Sequence, residues 1–458
     1  MSSIPTVSID ELKHFYQALE GVQTPLEPAD PRYVPGLYGH AGQEPVDKLA
    51  DTIAWSQSST LNYFTGQRGT GKSTQLRNLR NRLEGEGFAV ALVDMSEYVP
   101  QSEALDAVGF LISLAAAMGD FFQDRYAHNP QSESLLERVR MWLTGTDIAI
   151  TGIHLEAGLP GGLGKFGFKA ALSAHPTFRQ KVREVSADTQ QGLIEEGRKT
   201  IAAFGDALKA ASGKSGAVIL VDSLERLRDS VTSPDGEVTE SVRRLFVDDR
   251  RHLAIGGCHM VYAVPPYLTV TANLSGLVGL TQLGSVRVFE FDTANAAQRQ
   301  TRKEGIDKMR EVLTRVHPDW ARVISADAVA LLSERSGGDL RQFLFRFVRD
   351  LVIAARPALD RLPFSDTDPA VHDLLARATV EAEQLVVDQE LPLLAKMASA
   401  RNSRVGSRSD DFPTLARFYE NRCLLNYNNG TEWVDANPLL WDLIARFESK
   451  RDKASPSV

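Results

Sequence analysis

The stretch Gly66-Gln67-Arg68-Gly69-Thr70-Gly71-Lys72-Ser73 has the residue types and spacing needed to wrap a phosphate group. Glycines let the backbone turn tightly enough to aim successive N–H groups at phosphate oxygens, and a helix starting at Lys72 adds the positive end of its dipole. Lys72 is placed to reach the β- and γ-phosphates of a nucleotide, and the Ser73 hydroxyl to hold Mg2+. The phosphate-binding candidates are Gly66, Gln67, Arg68, Gly69, Thr70, Gly71, Lys72, Ser73 and Thr74. The alternative is a Gly-rich turn that happens to fit. It must explain why an apolar run, Leu61 to Thr65, precedes the loop and a helical pattern follows it.

A Mg2+ held at such a loop needs a carboxylate from a second strand to organise its water shell. The apolar run Gly216 to Val221 ends in Asp222, which joins Ser73 as a candidate metal ligand. Glu225, one helical turn further on, is the candidate to orient or deprotonate an attacking water. Each has a plainer alternative. Asp222 also reads as a helix cap after a core strand, and Glu225 as an exposed member of the charged run Glu225, Arg226, Arg228 and Asp229. Asp94 reads as a solvated strand end, and Cys258 with His259 as strand packing.

These side chains must be carried on strand ends. Leu61 to Thr65, Phe88 to Met95, Gly216 to Asp222, His259 to Val264 and Val286 to Phe291 read as five strands, with helical periodicity between them. An unbroken apolar run is the pattern of a strand covered on both faces, so the fold class is α/β, with a parallel five-stranded sheet. Ser8 and Glu11 stand in capping-box register at the first helix. Further helices are expected over Lys72 to Glu84, Glu103 to Phe122, Ser132 to Leu143 and Pro176 to Ser212, and the Gly-punctuated segment 146–171 reads as an inserted hairpin or flap. Beyond the sheet, helical patterns cover Ala294 to Val316, Ser325 to Arg335, Asp339 to Arg356 and Pro369 to Met397.

Near the end, a helix from Pro413 to Asn421 precedes Cys423 to Tyr427 and Thr431 to Asp435. Asn428, Asn429 and Gly430 join these two strands, and an Asn-Gly step marks a hairpin because both central turn residues tolerate positive φ. Asn437 and Pro438 start the last helix as cap and first-turn residue. The expected division is an N-terminal helix and linker (1–32), the sheet core (33–293), a helical lid (294–360), a helix-and-hairpin unit (361–450) and a disordered tail (451–458).

The 458 residues carry 51 Lys plus Arg against 59 Asp plus Glu, a net charge of -8. That balance excludes a general polyanion-binding surface and leaves a local basic patch open. Two cysteines in no paired spacing, Cys258 and Cys423, argue against a disulfide framework and a zinc site. The N-terminal segment through Phe15 lacks the basic and apolar regions of a signal peptide. The longest uncharged apolar stretch, Ala107 to Gly119, falls short of the ~20 residues of a membrane span. A cytoplasmic protein without a membrane segment is expected.

The phosphate loop, Val221-Asp222-Ser223-Leu224-Glu225-Arg226 and Ser336-Gly337-Gly338-Asp339-Leu340-Arg341 together resemble the AAA+ ATPases and their STAND relatives, from Tyr33 to Arg356. The resemblance implies a P-loop ATPase core that takes ATP and Mg2+, assembles into homo-oligomers, and carries a lid arginine, Arg341, that touches the nucleotide. The expected catalytic set is Glu225, Lys72 and Arg341. In the wider AAA+ family the catalytic Glu directly follows the metal-binding Asp. Ser223 stands there in this chain, and the spacing is similar to the STAND and KAP groups.

Two departures from the pattern matter. The fourth strand runs into Pro265 and Pro266 with no polar sensor, and no Lys or Arg occurs between Pro266 and Ser285, where AAA+ rings commonly supply an arginine finger. Such an arginine adds several powers of ten in rate, so slow intrinsic turnover is expected unless another group substitutes. Arg250 and Arg251 are the substitutes on offer.

The C-terminal helices and hairpin resemble a winged helix. A DNA-reading role would place the helix Pro413 to Asn421 in a groove and the Asn428 to Gly430 turn on phosphates. Arg401, Arg404, Arg408, Arg417 and Arg422 favour that role, while Asp410, Asp411, Glu420 and Glu432 cancel most of the field. The leading functional expectation is an ATP-hydrolysing molecular switch acting on a separate effector or regulatory protein, with regulation or phage defence as the context by analogy. The alternatives are an ATP-controlled DNA-binding initiator or loader, and a nucleotide-binding scaffold that never hydrolyses.

Overall fold

The structure is a computed structural model of the chain, and it describes residues 7–39, 43–127, 187–227, 236–271, 274, 276–291, 299–402, 411–428 and 432–454. The expected helix from Ser132 to Leu143, the flap at 146–171 and the start of the Pro176 helix lie outside those residues. The first helix, α1 (Ile9–Glu20), has the capping box its sequence calls for: the Glu11 N–H donates to the Ser8 hydroxyl and the Ser8 N–H to the Glu11 carboxylate.

Five strands, β1 (Leu61–Gly66), β2 (Phe88–Asp94), β3 (Gly216–Asp222), β4 (Cys258–Val264) and β5 (Gly279–Leu283), form one parallel sheet in the order β2-β3-β4-β1-β5. Successive side chains leave a strand on opposite faces. Phe64, Val90, Leu220 and Val261 therefore pack on one side, against the apolar stripes of α2 (Pro45–Trp55) and α3 (Lys72–Gly85). Tyr63, Ala91, Ile219, Met260 and Tyr262 pack on the other side, with α4 (Ala107–Tyr126) and α5 (Ala187–Ser212). Full burial of each large apolar side chain contributes about 1.5–3 kcal/mol, which is why the central strands read as continuous apolar runs. Among the described residues, α4 alone is long and apolar enough to cross a membrane by length and composition, and 61% of the tested stretch is buried.

After the short α6 (Glu237–Arg243) and the sheet comes a helical part: α7 (Lys303–Val316), α8 (Ala326–Arg335) and α9. The last of these opens at Leu340–Gln342, passes through a π-helical stretch, Phe343–Val348, and ends in Arg349–Ala354. Phe15 and Leu19 of α1 join the core beneath it. The chain continues through α10 (Pro369–Glu383), α11 (Leu391–Ala400) and α12 (Phe412–Glu420) into an antiparallel pair, β6 (Leu424–Asn428) and β7 (Glu432–Ala436), and closes with α13 (Trp441–Ala454). Leu394, Met397, Leu415, Phe418, Leu424 and Leu440 give this unit a core of its own.

Four expectations need correction. The fifth strand is Gly279–Leu283, not Val286 to Phe291. The latter run is apolar because Val286, Val288 and Phe289 are buried, but its backbone pairs outside the sheet: Val286 N–H donates to Gly338 O at 3.1 Å and Glu290 N–H to Gln300 O at 2.9 Å. The run bonds the helical part while a less apolar edge strand completes the sheet. Second, residues 299–302, expected inside a helix from Ala294, are not helical: Thr301 bridges to Phe289 and α7 begins at Lys303, while 294–298 lie outside the described residues. Third, the helix read from Pro369 to Met397 is two, because Pro392 sits in the first turn of a new helix, where its missing N–H costs nothing. Last, residues 451–454, expected in a disordered tail, belong to α13, which runs to Ala454, and 455–458 lie outside the described residues.

Candidate functional site

Ligands of open parallel sheets bind beyond the carboxyl ends of the strands, and β1, β2 and β3 bring their candidate residues to that edge. At the end of β1, a Cβ on Gly66 would stand 2.6 Å from the Leu283 carbonyl, so only glycine fits between the strands. Gly69 and Gly71 take φ of 93° and 80°, a region that side chains occupy only with strain. The loop then enters α3. Lys72 is 4% exposed, and its ammonium donates to the loop carbonyls of Gly66 at 2.7 Å and Gln67 at 2.9 Å. Burial lowers the Lys72 pKa, opposed by the charges of Glu225 and Asp222.

β3 carries Asp222 to the same edge, in register with Asp94 of β2. Asp222 accepts the Ser223 N–H at 2.7 Å and the Ser73 hydroxyl. Burial, and then the nearby Glu225 charge, push its carboxyl up to about 6. Ser223 turns the chain with a left-handed φ of 72°, which sends Leu224 into the core and leaves Glu225 facing the loop. Glu225 Oε1 lies 3.6 Å from Lys72 Nζ, and its Oε2 is buried with no hydrogen-bond partner among the described groups. Asp94 accepts the Ser96 N–H at 2.8 Å, which ties its exposed strand end to the turn that follows.

The donors Ser73 and Asp222 are both oxygen, and beside them a buried Glu225 carboxylate oxygen has no partner among the described groups. That chemistry fits Mg2+, which takes one or two carboxylates and keeps several waters. Among the described residues no group of three or more His, Cys, Asp or Glu forms a cage for a metal held by protein alone.

Arg341 arrives from the helical part. Its stem lies directly on the loop, with its Cβ only 2.6 Å from where a Cβ on Gly69 would be. Asp339 caps this helix start by accepting the Gln342 N–H at 2.9 Å, and its Oδ2 lies 3.3 Å from Arg422 Nε of the C-terminal unit. Burial, then the Arg422 charge, lower the Arg341 pKa. Arg226 adds a cation from the core side, felt by both Lys72 and Arg341. Arg250, by contrast, donates to the Val247 carbonyl at 2.8 Å.

The remaining loop residues diverge. Arg68 is exposed. The Thr70 hydroxyl donates to Gln67 O at 2.8 Å, and the Thr74 hydroxyl accepts the Leu26 N–H at 3.1 Å, turned toward the N-terminal segment. Gln67 is buried and reaches the C-terminal hairpin: its Nε2 donates to Leu424 O and its Oε1 accepts the Asn426 N–H at 3.4 Å. Sequence reasoning missed four parts of this site: β6, Asp339, Arg422 and Tyr38, whose hydroxyl donates to Thr70 O at 2.5 Å. The capping position of Asp339 was the one available signal, since it opens a helix whose first turn holds Arg341.

No family model and no curated relative matches the chain. Two solved structures of the Aeropyrum pernix ORC2 protein are similar to it. Its ADPNP-ADP complexes share 10% identity, covering 93% of this chain and 99% of that one at a TM-score of 0.36. Its ADP form shares 13% identity, covering 96% and 98% at a TM-score of 0.38. Superposition at that level supports no argument, so the chemistry of the site rests on this chain's own residues.

Proposed function

We propose that this protein is an ATP-binding, Mg2+-dependent ATPase of the AAA+/STAND type that works as a switch, with nucleotide state passed to a winged-helix-like C-terminal unit. The observation that carries the reading is the double grip on the phosphate loop. Gln67 is held by β6 of the C-terminal unit and Gly69 lies under Arg341 of the helical part. A nucleotide entering the loop therefore meets groups from all three parts of the chain, and binding that favours one arrangement shifts the population toward it.

The chain's own groups supply each role. Lys72 exchanges the carbonyls of Gly66 and Gln67 for the β- and γ-phosphates, which also frees Glu225 from its charge partner. Glu225 then takes a proton from the attacking water at Oε2, the atom without a protein partner. Ser73 and Asp222 would hold Mg2+, which when bound neutralises charge on the phosphate oxygens. Arg341 supplies a guanidinium from the lid, with Arg226 and Arg422 as further cations of the same chain. In this reading the lid and C-terminal unit deliver the signal to a partner protein, and the active form is a homo-oligomer.

The test is steady-state phosphate release from ATP by purified protein, with and without duplex DNA, alongside Lys72→Ala and Glu225→Gln. Release that needs Mg2+, Lys72 and Glu225 and ignores DNA supports the partner-coupled switch. Acceleration by DNA transfers the assignment to a DNA-binding initiator. Release unaffected by either substitution refutes the site.

A further inference from the structure

A cavity of about 570 Å³ opens where α9 of the helical part meets α10 and the turn between α12 and β6. Its volume is that of a small-molecule site. Four arginines line it, Arg341, Arg346 and Arg349 from α9 and Arg422 from the turn, against one carboxylate, Glu381 of α10. No residue of the phosphate loop, Gly66 to Thr74, belongs to the lining. Like charges held close repel, so what each guanidinium bonds decides whether the cluster is structural.

Among the four, Arg346 alone is satisfied within the protein: it bonds the Glu381 carboxylate and lies 3.4 Å from Asp350. Asp339 and Asp350 approach Arg422 and Arg349 from the Nε side, at 3.3 and 3.7 Å, and both Nε atoms are sealed. The terminal nitrogens of these two arginines have no hydrogen-bond partner among the described groups and keep accessible surface. Arg341 is exposed and makes no hydrogen bond or ion pair among the described residues. Burial, then the Arg422 charge, lower its pKa against the opposing charge of Asp339, as expected of two cations with no anion between them.

A neutral donor faces the same space. Gln342 is 9% exposed, and its Oε1 accepts the Asn437 amide at 3.1 Å, while Asn437 Oδ1 accepts the Leu439 N–H at 3.1 Å. That chain fixes both amides and leaves Gln342 Nε2 as an accessible donor without a partner among the described groups. The wall thus offers three guanidinium forks and a fixed amide N–H, all donors. The two oxygens of one carboxylate cannot accept from all of them, whereas a phosphoryl group presents three oxygens and up to two negative charges. Phe345 and Leu385 give the lining an apolar side that suits the carbon skeleton of an ester.

We propose that this cavity binds a small phosphorylated molecule, its phosphoryl oxygens held by Arg341, Arg349, Arg422 and Gln342. The site does not depend on the ATP reading, although Arg341 lies on Gly69 and borders both places.

Calorimetric titration of inorganic pyrophosphate into the full chain carrying Lys72→Ala, in EDTA, tests the assignment with the phosphate loop disabled. One equivalent should bind, and citrate, which carries carboxylates alone, should bind at least tenfold more weakly. Arg349→Gln removes a fork to which the nucleotide reading gives no role. Added to Lys72→Ala, it should weaken pyrophosphate binding at least tenfold at an unchanged melting temperature. Glu381→Gln removes the one lining carboxylate and releases Arg346, and should tighten binding at least threefold, an effect that a purely structural cluster does not produce. Arg377→Gln, at an exposed arginine of α10 outside the lining, should change nothing. The proposal fails if pyrophosphate does not bind, if Arg349→Gln leaves its affinity unaltered, if Arg377→Gln weakens it as much, or if Glu381→Gln does not tighten it. Citrate binding as tightly as pyrophosphate overturns the phosphate assignment and transfers the cavity to carboxylates. Loss of ATP binding in Lys72→Ala is a separate result that bears on the loop alone.

Discussion

Removing the charge of Asp222 should make the empty protein more stable while disabling the proposed Mg2+ site. Asp222 is 6% exposed, and burial and the Glu225 charge move its carboxyl from the usual 3.8 to about 6. The folded state thus keeps its proton to higher pH than the unfolded chain does. Stability therefore declines as pH rises from about 4 to about 6, and the full penalty persists above that window. A shift of roughly two pKa units corresponds to on the order of 3 kcal/mol. Asp222→Asn removes the charge and keeps an amide oxygen to accept the Ser223 N–H, so about 2 kcal/mol of that penalty should be recovered. Urea titrations in EDTA at pH 4, 6 and 8 read this directly. The variant should match wild type at pH 4, gain through pH 6 and exceed it by about 2 kcal/mol at pH 8, while losing Mg2+-dependent ATP affinity. A variant less stable than wild type at pH 8, or one whose gain is the same at pH 4, refutes burial as the cause. This is the ordinary trade at a functional site, where a charge is retained for chemistry against folding.

Three further substitutions probe the grip on the loop and the join behind it. Gln67→Leu leaves the Leu424 carbonyl and the Asn426 N–H without their partner, so urea titration should show a loss of about 1–3 kcal/mol, and limited proteolysis should cut the C-terminal unit faster than in wild type. Gly69→Ala puts a methyl group at a φ of 93° and 2.6 Å from Arg341 Cβ. A cost of about 1–3 kcal/mol in stability and at least a tenfold loss of ATP affinity by calorimetry should follow. Asp435→Ala removes the carboxylate that bonds Arg299 at 2.9 and 3.0 Å and lies beside Arg401, which is 1% exposed. Leaving those guanidinium groups uncompensated should cost about 3–5 kcal/mol by thermal or urea melting. A loss below 1 kcal/mol would show that solvent reaches them.

The parts of this molecule that were legible from the chain alone are those whose cause is local. The glycines of the phosphate loop are needed by the backbone turn they make, and Leu61–Gly66 and Gly216–Asp222 are apolar because both faces of a central strand are covered. The hairpin β6–β7 and the capping box at Ser8 likewise follow from turn and cap chemistry within a few residues. The edge strand Gly279–Leu283 was misplaced for the complementary reason. Two of its five residues are buried, and the more apolar Val286 to Phe291 is buried by the helical part rather than by the sheet.

A glycine-rich loop between strand and helix, a carboxylate at a strand end and an α/β core were readable along the chain, since each depends on neighbours within a turn or a strand. That Gln67 bonds a hairpin more than 350 positions away, and that Arg341 lies on Gly69, follow from tertiary packing alone. Those contacts have no periodicity or local spacing to announce them. They exist because residues distant in sequence pack against one end of the sheet, and that packing chooses which polar groups meet.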